Sequence, residues 1–215
     1  VQVEYVTKAE TLNPKDVKIP GILVDYVVQA TDPMACWQAE GVYWEPSFSG
    51  QIRRPTKAIP PLPLTERKVI ARRCAMEVPA GAVLNLGVGM SADVGSIVAE
   101  EGCLDRVTMA AESGMIGGVM CALPNFGSSY NPECTLEHNA TFDLIDGGGL
   151  DMTCLGLGEC DAEGNVNVSK FGPRLTGPGG FIDITNATPK VVFCGTFMGK
   201  AKYAVGDGKL TILQE

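Results

Sequence analysis

The sequence predicts an α/β fold built on an open, mostly parallel β-sheet that is flanked by helices and extended by β-hairpins. Two observations support this prediction. An apolar strand at residues 83–88, a helix at 91–102 and a second strand at 107–111 form a βαβ unit, whose strands run parallel with a right-handed crossover. Further along, turn residues at 161–165 and at Asp207-Gly208 separate apolar segments, which is typical of antiparallel hairpins.

The first 63 residues are predicted to be a separate region of short strands and extended chain. Residues 1–6 and 22–28 are rich in β-branched side chains and read as strands. Residues 31–63 hold both tryptophans and many prolines with little periodicity. Because a loop of that length is unusual inside a compact domain, it either wraps over another surface or links two halves of a larger protein.

Residues 64–215 are predicted to form the α/β domain. Thr65 is a candidate N-cap for a helix over 66–77, and Ser91 is a candidate cap for the next helix. We predict neither a helix nor a strand for the apolar patch at 141–145 or for residues 181–185, which follow a glycine loop. The remaining predicted strands are 150–157, 166–169 and 191–196, with a hairpin over 203–212.

Composition excludes several functions. A 215-residue chain that is 45% hydrophobic can bury a core, and its net charge of −8 without a basic run disfavours nucleic acid or an anionic membrane as a partner. No apolar stretch is long enough to span a bilayer, and we expect no secretory signal. Because the chain starts at Val1 rather than at a methionine, we interpret it as a piece of a larger protein.

The eight cysteines do not suggest a metal site or a disulfide framework. They form no CxxC pair, and the single histidine, His138, lacks a partner at ligand spacing, so a zinc site is disfavoured. Cys154 and Cys194 lie inside apolar runs. We interpret them as small buried hydrophobic residues of a protein in a reducing cytoplasm, since a chain this long does not need disulfides for stability.

Glu112 is the candidate catalytic residue. It directly follows the strand at 107–111, and Ser113-Gly114 and Gly117-Gly118 then end regular structure. In open α/β sheets, ligands bind outside the carboxyl ends of the strands, and the glycines would allow a substrate to approach the backbone. The alternative is a solvated glutamate on an ordinary turn.

Common nucleotide and hydrolase motifs do not fit this sequence. Gly87, Gly89 and Gly95 do not match GxGxxG, no Walker A sequence occurs, and no GxSxG elbow accompanies His138. Metal-free carboxylate chemistry remains the strongest option, with backbone N–H groups of glycine-rich strand ends available to stabilise an oxyanion.

An ordered set of motifs resembles the class I CoA-transferases, in particular their acetate/propionate, short-chain acyl branch. The first is Glu112-Ser-Gly, which resembles the Glu-Ser-Gly or Glu-Asn-Gly motif of that family. The others are Phe48-Ser-Gly-Gln-Ile-Arg53, Asn85-Leu-Gly-Val-Gly89, Phe142-Asp-Leu-Ile-Asp-Gly-Gly-Gly-Leu-Asp151, Leu155-Gly-Leu-Gly158, Gly164-Asn-Val-Asn-Val-Ser-Lys-Phe-Gly-Pro173, Gly179-Gly-Phe-Ile-Asp-Ile-Thr185 and Lys190-Val-Val-Phe-Cys-Gly-Thr-Phe197. The resemblance spans nearly the whole chain, but only the second of the two similar halves of such enzymes.

The resemblance implies a CoA-transferase half in which Glu112 attacks an acyl-CoA and then carries CoA as a glutamyl thioester. Coenzyme A would be a substrate, with no permanently bound cofactor, and the partners would be an acyl-CoA, a small carboxylic acid, the missing first half and further copies in a homo-oligomer. Backbone amides near Gly87 to Gly89 or at Gly179-Gly180 are candidate oxyanion donors. Lys170 and Arg174 are candidates for contact with the CoA phosphates, or else ordinary surface charges.

The sequence also departs from the family pattern. The loop after the glutamate reads Gly117-Gly-Val-Met-Cys-Ala-Leu-Pro124 where the family has Gly-Gly-Val-Pro-Ala-Gly-Gly, and Met90-Ser91 replaces a proline-containing strand end. We expect both changes to line the acyl pocket. Three hypotheses remain open: a CoA-transferase half, an acyl-CoA hydrolase on the same scaffold, and a non-catalytic half that supports an active partner. The isolated chain is expected to be inactive and prone to self-association.

Overall fold

The computed structural model describes residues 1–196 and 202–214, which form two compact units, Val1–Glu45 and Pro46–Glu215. The strands of the described residues are, in chain order, β1 (Gln2–Val3), β2 (Val28–Gln29), β3 (Ala82–Leu86), β4 (Val107–Ala110), β5 (Met115–Ile116), β6 (Val119–Met120), β7 (Ser129–Tyr130), β8 (Cys134–Thr135), β9 (Met152–Leu155), β10 (Glu159–Cys160), β11 (Val166–Asn167), β12 (Lys170–Phe171), β13 (Arg174–Leu175), β14 (Lys190–Phe193), β15 (Lys202–Gly206) and β16 (Lys209–Gln214). The α-helices are α1 (Glu66–Ala75), α2 (Asp93–Glu100), α3 (His138–Asp146) and α4 (Phe181–Ala187), and short 3₁₀ helices occupy Pro14–Asp16, Gly21–Leu23, Pro33–Cys36, Thr56–Ala58, Met90–Ala92 and Leu104–Arg106.

The first unit has little regular structure. Its strands β1 and β2 pair in parallel over two residues each. The predicted strand at 22–28 is wrong: Gly21–Leu23 is a 3₁₀ helix, and only Val28 of that segment belongs to a strand. Ile22 is 93% exposed, which shows that its β-branched side chain has no packed neighbour in the structure. β-branched composition favours a strand only where a partner strand and a packed face are available.

The second unit is organised around a six-stranded sheet with the order β14-β9-β3-β4-β5-β8. Neighbouring strands from β14 to β4 are parallel, whereas β5 and β8 extend the sheet in antiparallel fashion. The βαβ unit β3-α2-β4 is therefore confirmed, as is the mostly parallel sheet. The predicted hairpins also form, as β10–β11 and β15–β16, and β6–β7 and β12–β13 are further antiparallel pairs of consecutive strands. Residue 197, at the end of one quoted motif, lies outside the described residues.

The helices cover both faces of the sheet because successive strand residues point to opposite sides. Leu84, Leu86 and Met109 pack with α1 and α2 in one buried cluster. The alternate residues Val83 and Ala110 contribute to a second cluster with α3 and α4. The segments at 141–145 and 181–185, which had no assigned element, thus form parts of the helices on the second face.

The predicted caps are only partly correct. Thr65 occupies the N-cap position of α1, but its side chain makes no capping hydrogen bond. Ser91 does not cap α2, because it lies inside the 3₁₀ turn Met90–Ala92, and its hydroxyl donates to the Gly87 carbonyl oxygen at 2.8 Å. Ser91 is fully buried, so its hydroxyl satisfies a strand-end carbonyl that would otherwise lack a partner.

Cysteine burial follows the prediction for Cys154 and Cys194, which are 0% and 7% exposed. The Cys74 thiol donates to Cys154 with an S–S distance of 3.1 Å, and all three belong to the buried cluster with α1 and α2. The hydrogen bond to Cys154, together with burial, raises the pKa of the Cys74 thiol to about 12. A neutral, buried thiol behaves as a small apolar side chain, which is how the sequence was interpreted.

Residues 46–62, which belong to the predicted wrapping segment, pack against the sheet unit. Phe48 is buried with its ring centroid 4.9 Å from that of Tyr130, and Arg53 donates to the Asn131 carbonyl oxygen at 2.7 Å. The domain boundary at residue 63 remains a prediction. None of the helices within the described ranges has both the length and the apolar character that crossing a bilayer requires.

Glu100 of α2 binds the end of the segment formed by residues 46–62. Its carboxylate lies 2.6 Å from the Lys68 ammonium, both side chains are less than a fifth exposed, and the Leu62 N–H donates to the same carboxylate. Burial raises the pKa of Glu100, but the hydrogen bonds from Lys68 and Leu62 outweigh it and hold that pKa below its usual range. A carboxyl group whose pKa is lowered by folding stabilises the fold above its unfolded pKa, and this contribution disappears as the pH falls through the folded value.

We therefore expect Glu100→Gln to lower the free energy of unfolding by about 1 kcal/mol at pH 7, with a smaller difference from the wild type at pH 3. Urea denaturation at pH 3, 5 and 7 measures this difference. The exposed pair Arg72–Glu101 supplies a control, because Glu101→Gln removes a surface ion pair of small energetic value. A Glu100→Gln effect that stays constant across this pH range would contradict the prediction.

Candidate active site

The site lies at the carboxyl edge of the parallel strands. Glu112 follows β4 by two residues and occupies a tight turn in which the Gly114 N–H donates to the Ala111 carbonyl oxygen at 3.0 Å. The Ala111 N–H in turn donates to the Met115 carbonyl oxygen at 2.8 Å, which starts the antiparallel pairing with β5. The carboxylate is therefore presented by a hydrogen-bonded turn on a rigid strand end, as the sequence predicted.

Gly114 makes this turn possible. Its φ of 117° is unfavourable for residues with a β-carbon, and a β-carbon there would lie 2.1 Å from the Leu136 carbonyl oxygen. The Leu136 N–H also donates to the Gly114 carbonyl oxygen at 2.8 Å, so two chain segments meet at this glycine. The glycine after Glu112 thus serves a close backbone approach within the protein.

A buried amide joins the three central strands just before the site. Asn85 on β3 is 1% exposed, and its Nδ2 donates to the Ala110 carbonyl oxygen on β4 at 2.9 Å. Its Oδ1 accepts a hydrogen bond of 2.9 Å from the Thr153 hydroxyl on β9. Because both bonds are buried, they fix the position of the strand that carries Glu112.

Glu112 borders a cavity of about 800 Å³ and is half-buried. The described residues that line it are Glu112, His138, Asn139, Phe142, Gly179, Gly180 and Asp183. Within residues 1–196 and 202–214, the Glu112 carboxylate has no ion pair and no side-chain hydrogen bond. The oxygens of this carboxylate thus have no structural role in the described part of the chain. Cavities of comparable size next to α2 and next to α1 do not include Glu112.

Gly180 is in close contact with the carboxylate. A β-carbon at residue 180 would lie 2.8 Å from Glu112 Oε2 and 2.7 Å from Phe142 Cζ. The backbone at Gly180, the Phe142 ring and the Glu112 carboxylate therefore meet at one point, and only glycine leaves room for all three. This close approach is the structural basis for the glycine at 180, where φ is an ordinary −74°.

The other residues proposed from the sequence are divided between this cavity and its surroundings. Gly179 lines the Glu112 cavity, with a φ of 56°. Gly89, with φ 98° and ψ −137°, has a backbone conformation that only glycine adopts readily, at the end of β3. Gly87 borders a neighbouring cavity of about 420 Å³, but its N–H already donates to the Cys154 carbonyl oxygen at 2.8 Å. Its amide is thus unavailable to an oxyanion in this conformation.

The expected acyl-pocket residues and the proposed phosphate contacts lie elsewhere. Met120 and Cys121 are 1% and 6% exposed in the interior, and residues 120–124 are absent from the described lining of the Glu112 cavity, as are Met90 and Ser91. These residues therefore do not border the Glu112 cavity within the described chain, where β6 packs against α2 instead, and the expectation that they line the acyl pocket stays a prediction. Lys170 and Arg174 belong to the exposed β12–β13 hairpin and line neither cavity.

Sequence reasoning did not place four residues of the cavity lining. His138, Asn139 and Phe142 lie on α3, where the two rings are one turn apart, and Asp183 comes from α4. The spacing of four residues between the two rings was a usable signal, but it required a helix that the sequence did not indicate. Among the described residues, no group of three or more His, Cys, Asp or Glu side chains is arranged to hold a metal ion.

Comparison with known proteins agrees with this architecture. No family model matches the chain. The chain is 59% identical over 220 residues to the caffeate CoA-transferase of Acetobacterium woodii, covering 100% of this chain and 42% of that protein. It is 30% identical over 155 residues to the acetate CoA-transferase subunit beta of Escherichia coli K12, covering 67% of this chain and 68% of that subunit.

A solved structure gives the same result. The acyl-CoA transferase YdiF of Escherichia coli O157:H7 superposes with a TM-score of 0.75 at 40% identity, over 100% of this chain and 39% of that chain, and it has also been solved as a thioester complex with CoA. The fold and the carboxylate at the strand end therefore define a CoA-transferase scaffold. The chain belongs to the class I CoA-transferases, and it spans about two fifths of the length of the caffeate CoA-transferase and of YdiF.

Proposed function

We propose that the protein containing this chain transfers CoA between a short-chain acyl-CoA and a carboxylic acid, with Glu112 as the covalent nucleophile. The observation that carries the proposal is the Glu112 carboxylate itself. It lies on a rigid turn at a strand end, borders an open cavity and has no side-chain partner among the described residues. A structural glutamate that is half-buried would ordinarily be paired.

The chemistry proceeds in two covalent stages. A Glu112 oxygen attacks the acyl-CoA carbonyl carbon, a C–O bond forms, the C–S bond breaks, and an acyl-glutamyl anhydride and CoA thiolate result. The thiolate then attacks the Glu112 carbonyl carbon, which expels the carboxylate of the first acid and leaves a glutamyl-CoA thioester. The acceptor acid reverses both steps, so no net proton or electron is required.

Backbone amides near the carboxylate are suited to stabilise the tetrahedral oxyanions of these steps. We assign this role to Gly179 and Gly180, which line the cavity, and to Gly89 at the end of β3. Gly87 is left out because its N–H is used inside the sheet. Lys170 remains a candidate for the CoA phosphates only if the hairpin that carries it reaches the bound coenzyme.

A second class of acid is also a candidate substrate. The 59% identity with an enzyme named caffeate CoA-transferase favours an aryl-propenoic acid as one of the two acids exchanged.

The proposal further includes a first half that completes the active site and an assembly of several copies. Coenzyme A is a substrate here, and the basic groups that hold its phosphates would come mainly from the first half, since this chain carries a net charge of −8.

The test is to trap the covalent intermediate in the intact enzyme. The protein is incubated with acetyl-CoA, treated with borohydride and digested for peptide mass mapping. A glutamyl thioester is reduced to an alcohol, so the peptide containing Glu112 should lose one oxygen and gain two hydrogens, and only when acyl-CoA was present. An acceptor acid should accelerate CoA turnover, whereas a hydrolase would be insensitive to it. An unmodified Glu112 peptide in active protein would overturn the proposal.

A further inference from the structure

Two aromatic rings stand beside the nucleophile in a fixed order. Phe142 Cζ and Glu112 Oε2 lie 2.7 and 2.8 Å from the same point, the position of a β-carbon on Gly180. His138 follows one helical turn away, with its ring centroid 5.2 Å from that of Phe142 and an interplanar angle of 48°. Phe142 is therefore the ring in contact with the carboxylate region, and His138 packs on it one helical turn along α3.

The other residues that line the cavity limit the charge of an acyl group that binds there. Glu112 and Asp183 contribute two carboxylates, and the described lining holds neither lysine nor arginine. An acyl chain with a second carboxylate would be repelled here, because like charges at short range are unfavourable. The His138 residue is exposed and its ring packs on the Phe142 ring, and its side chain makes no hydrogen bond or ion pair within the described residues. Its outer face is therefore available to a neutral acyl group.

We propose that His138 and Phe142 form an acyl-binding wall that selects neutral, planar, conjugated acyl groups over flexible saturated ones. The inference rests on the proposed function, since it concerns the acyl group carried by Glu112. Flat rings gain most from contact with another flat, rigid group, which loses little conformational freedom on binding. Phe142 would contact the atoms of the acyl group next to its carbonyl carbon. His138 would contact the atoms further from that carbon and so determine the preference for a planar group there.

The test compares two acceptor acids that differ in one double bond, cinnamate and 3-phenylpropionate, with acetyl-CoA as the donor and the intact enzyme. Three variants are used: His138→Ala, His138→Phe and, as a control on the same helix, Asp143→Ala, which is exposed and lies outside the lining. We expect His138→Ala to reduce kcat/KM for cinnamate about fivefold, mainly through KM, because one aromatic contact is lost. For 3-phenylpropionate the loss should be below twofold.

His138→Phe should keep the wild-type preference, since it preserves the ring on Phe142, and Asp143→Ala should change neither acid. Equal losses for both acids in His138→Ala, or no loss for cinnamate, would overturn the acyl-wall proposal. Trapping the glutamyl thioester in each variant separates the two proposals. A normal thioester with an unchanged acid preference refutes the wall alone, whereas the absence of thioester in the wild type refutes the proposed function as well.

Discussion

Glu112→Gln is expected to lower kcat for CoA transfer by about 10⁴-fold or more, because the amide cannot form the anhydride or the thioester. The change keeps the size of the side chain. It also breaks no side-chain hydrogen bond or ion pair within the described chain, so the folded structure should be unaffected. Steady-state assays with acetyl-CoA and an acceptor acid measure the loss, and circular dichroism with urea denaturation checks the fold.

Asp183→Asn is the matched control, since it removes the other carboxylate that lines the same cavity. We expect this variant to lose less than tenfold in kcat, because Asp183 comes from α4 rather than from the turn at the carboxyl end of β4. Comparable losses in the two variants would show that negative charge in the cavity, and not a nucleophile at residue 112, is what the reaction needs. Near-normal kcat in Glu112→Gln would refute the covalent mechanism directly.

Gly180→Ala is expected to lower kcat about 100-fold, because a displacement of catalytic groups by about 1 Å can cost this much. The added methyl group would lie 2.8 Å from Glu112 Oε2 and 2.7 Å from Phe142 Cζ, so the carboxylate or the ring must move. Both are ends of rotatable side chains. We therefore expect the free energy of unfolding to change by less than about 1 kcal/mol.

Gly195→Ala provides the control for this prediction. A β-carbon at residue 195 meets no atom within 4 Å, and its φ lies outside the left-handed region. It should retain wild-type kcat and stability. If Gly180→Ala also keeps its kcat, the close approach to Glu112 has no catalytic importance. If Gly180→Ala instead unfolds the protein, the close contact at residue 180 is needed for folding rather than for catalysis.

The sheet could be predicted because each of its signals is local. Apolar runs of strand length ended at glycines, and the helix between β3 and β4 followed directly in the chain, so the parallel βαβ unit needed no distant information. Residues 22–28 show the limit of the same reasoning. Their β-branched side chains indicated a strand. Only the last of these residues pairs with a neighbouring strand, however, and most of the segment is not a strand.

The sequence by itself determined the position of Glu112, the proposed nucleophile: it comes after a buried strand and before glycines, and those residues alone predict a strand end. The family resemblance suggested the chemistry that is proposed for it. Only the tertiary structure decided what surrounds the carboxylate, because α3 and α4 pack against the opposite face of the sheet from α1 and α2 and bring His138, Phe142 and Gly180 to it. Their spacing along the chain carries no record of that packing, which depends on which face of each helix is buried.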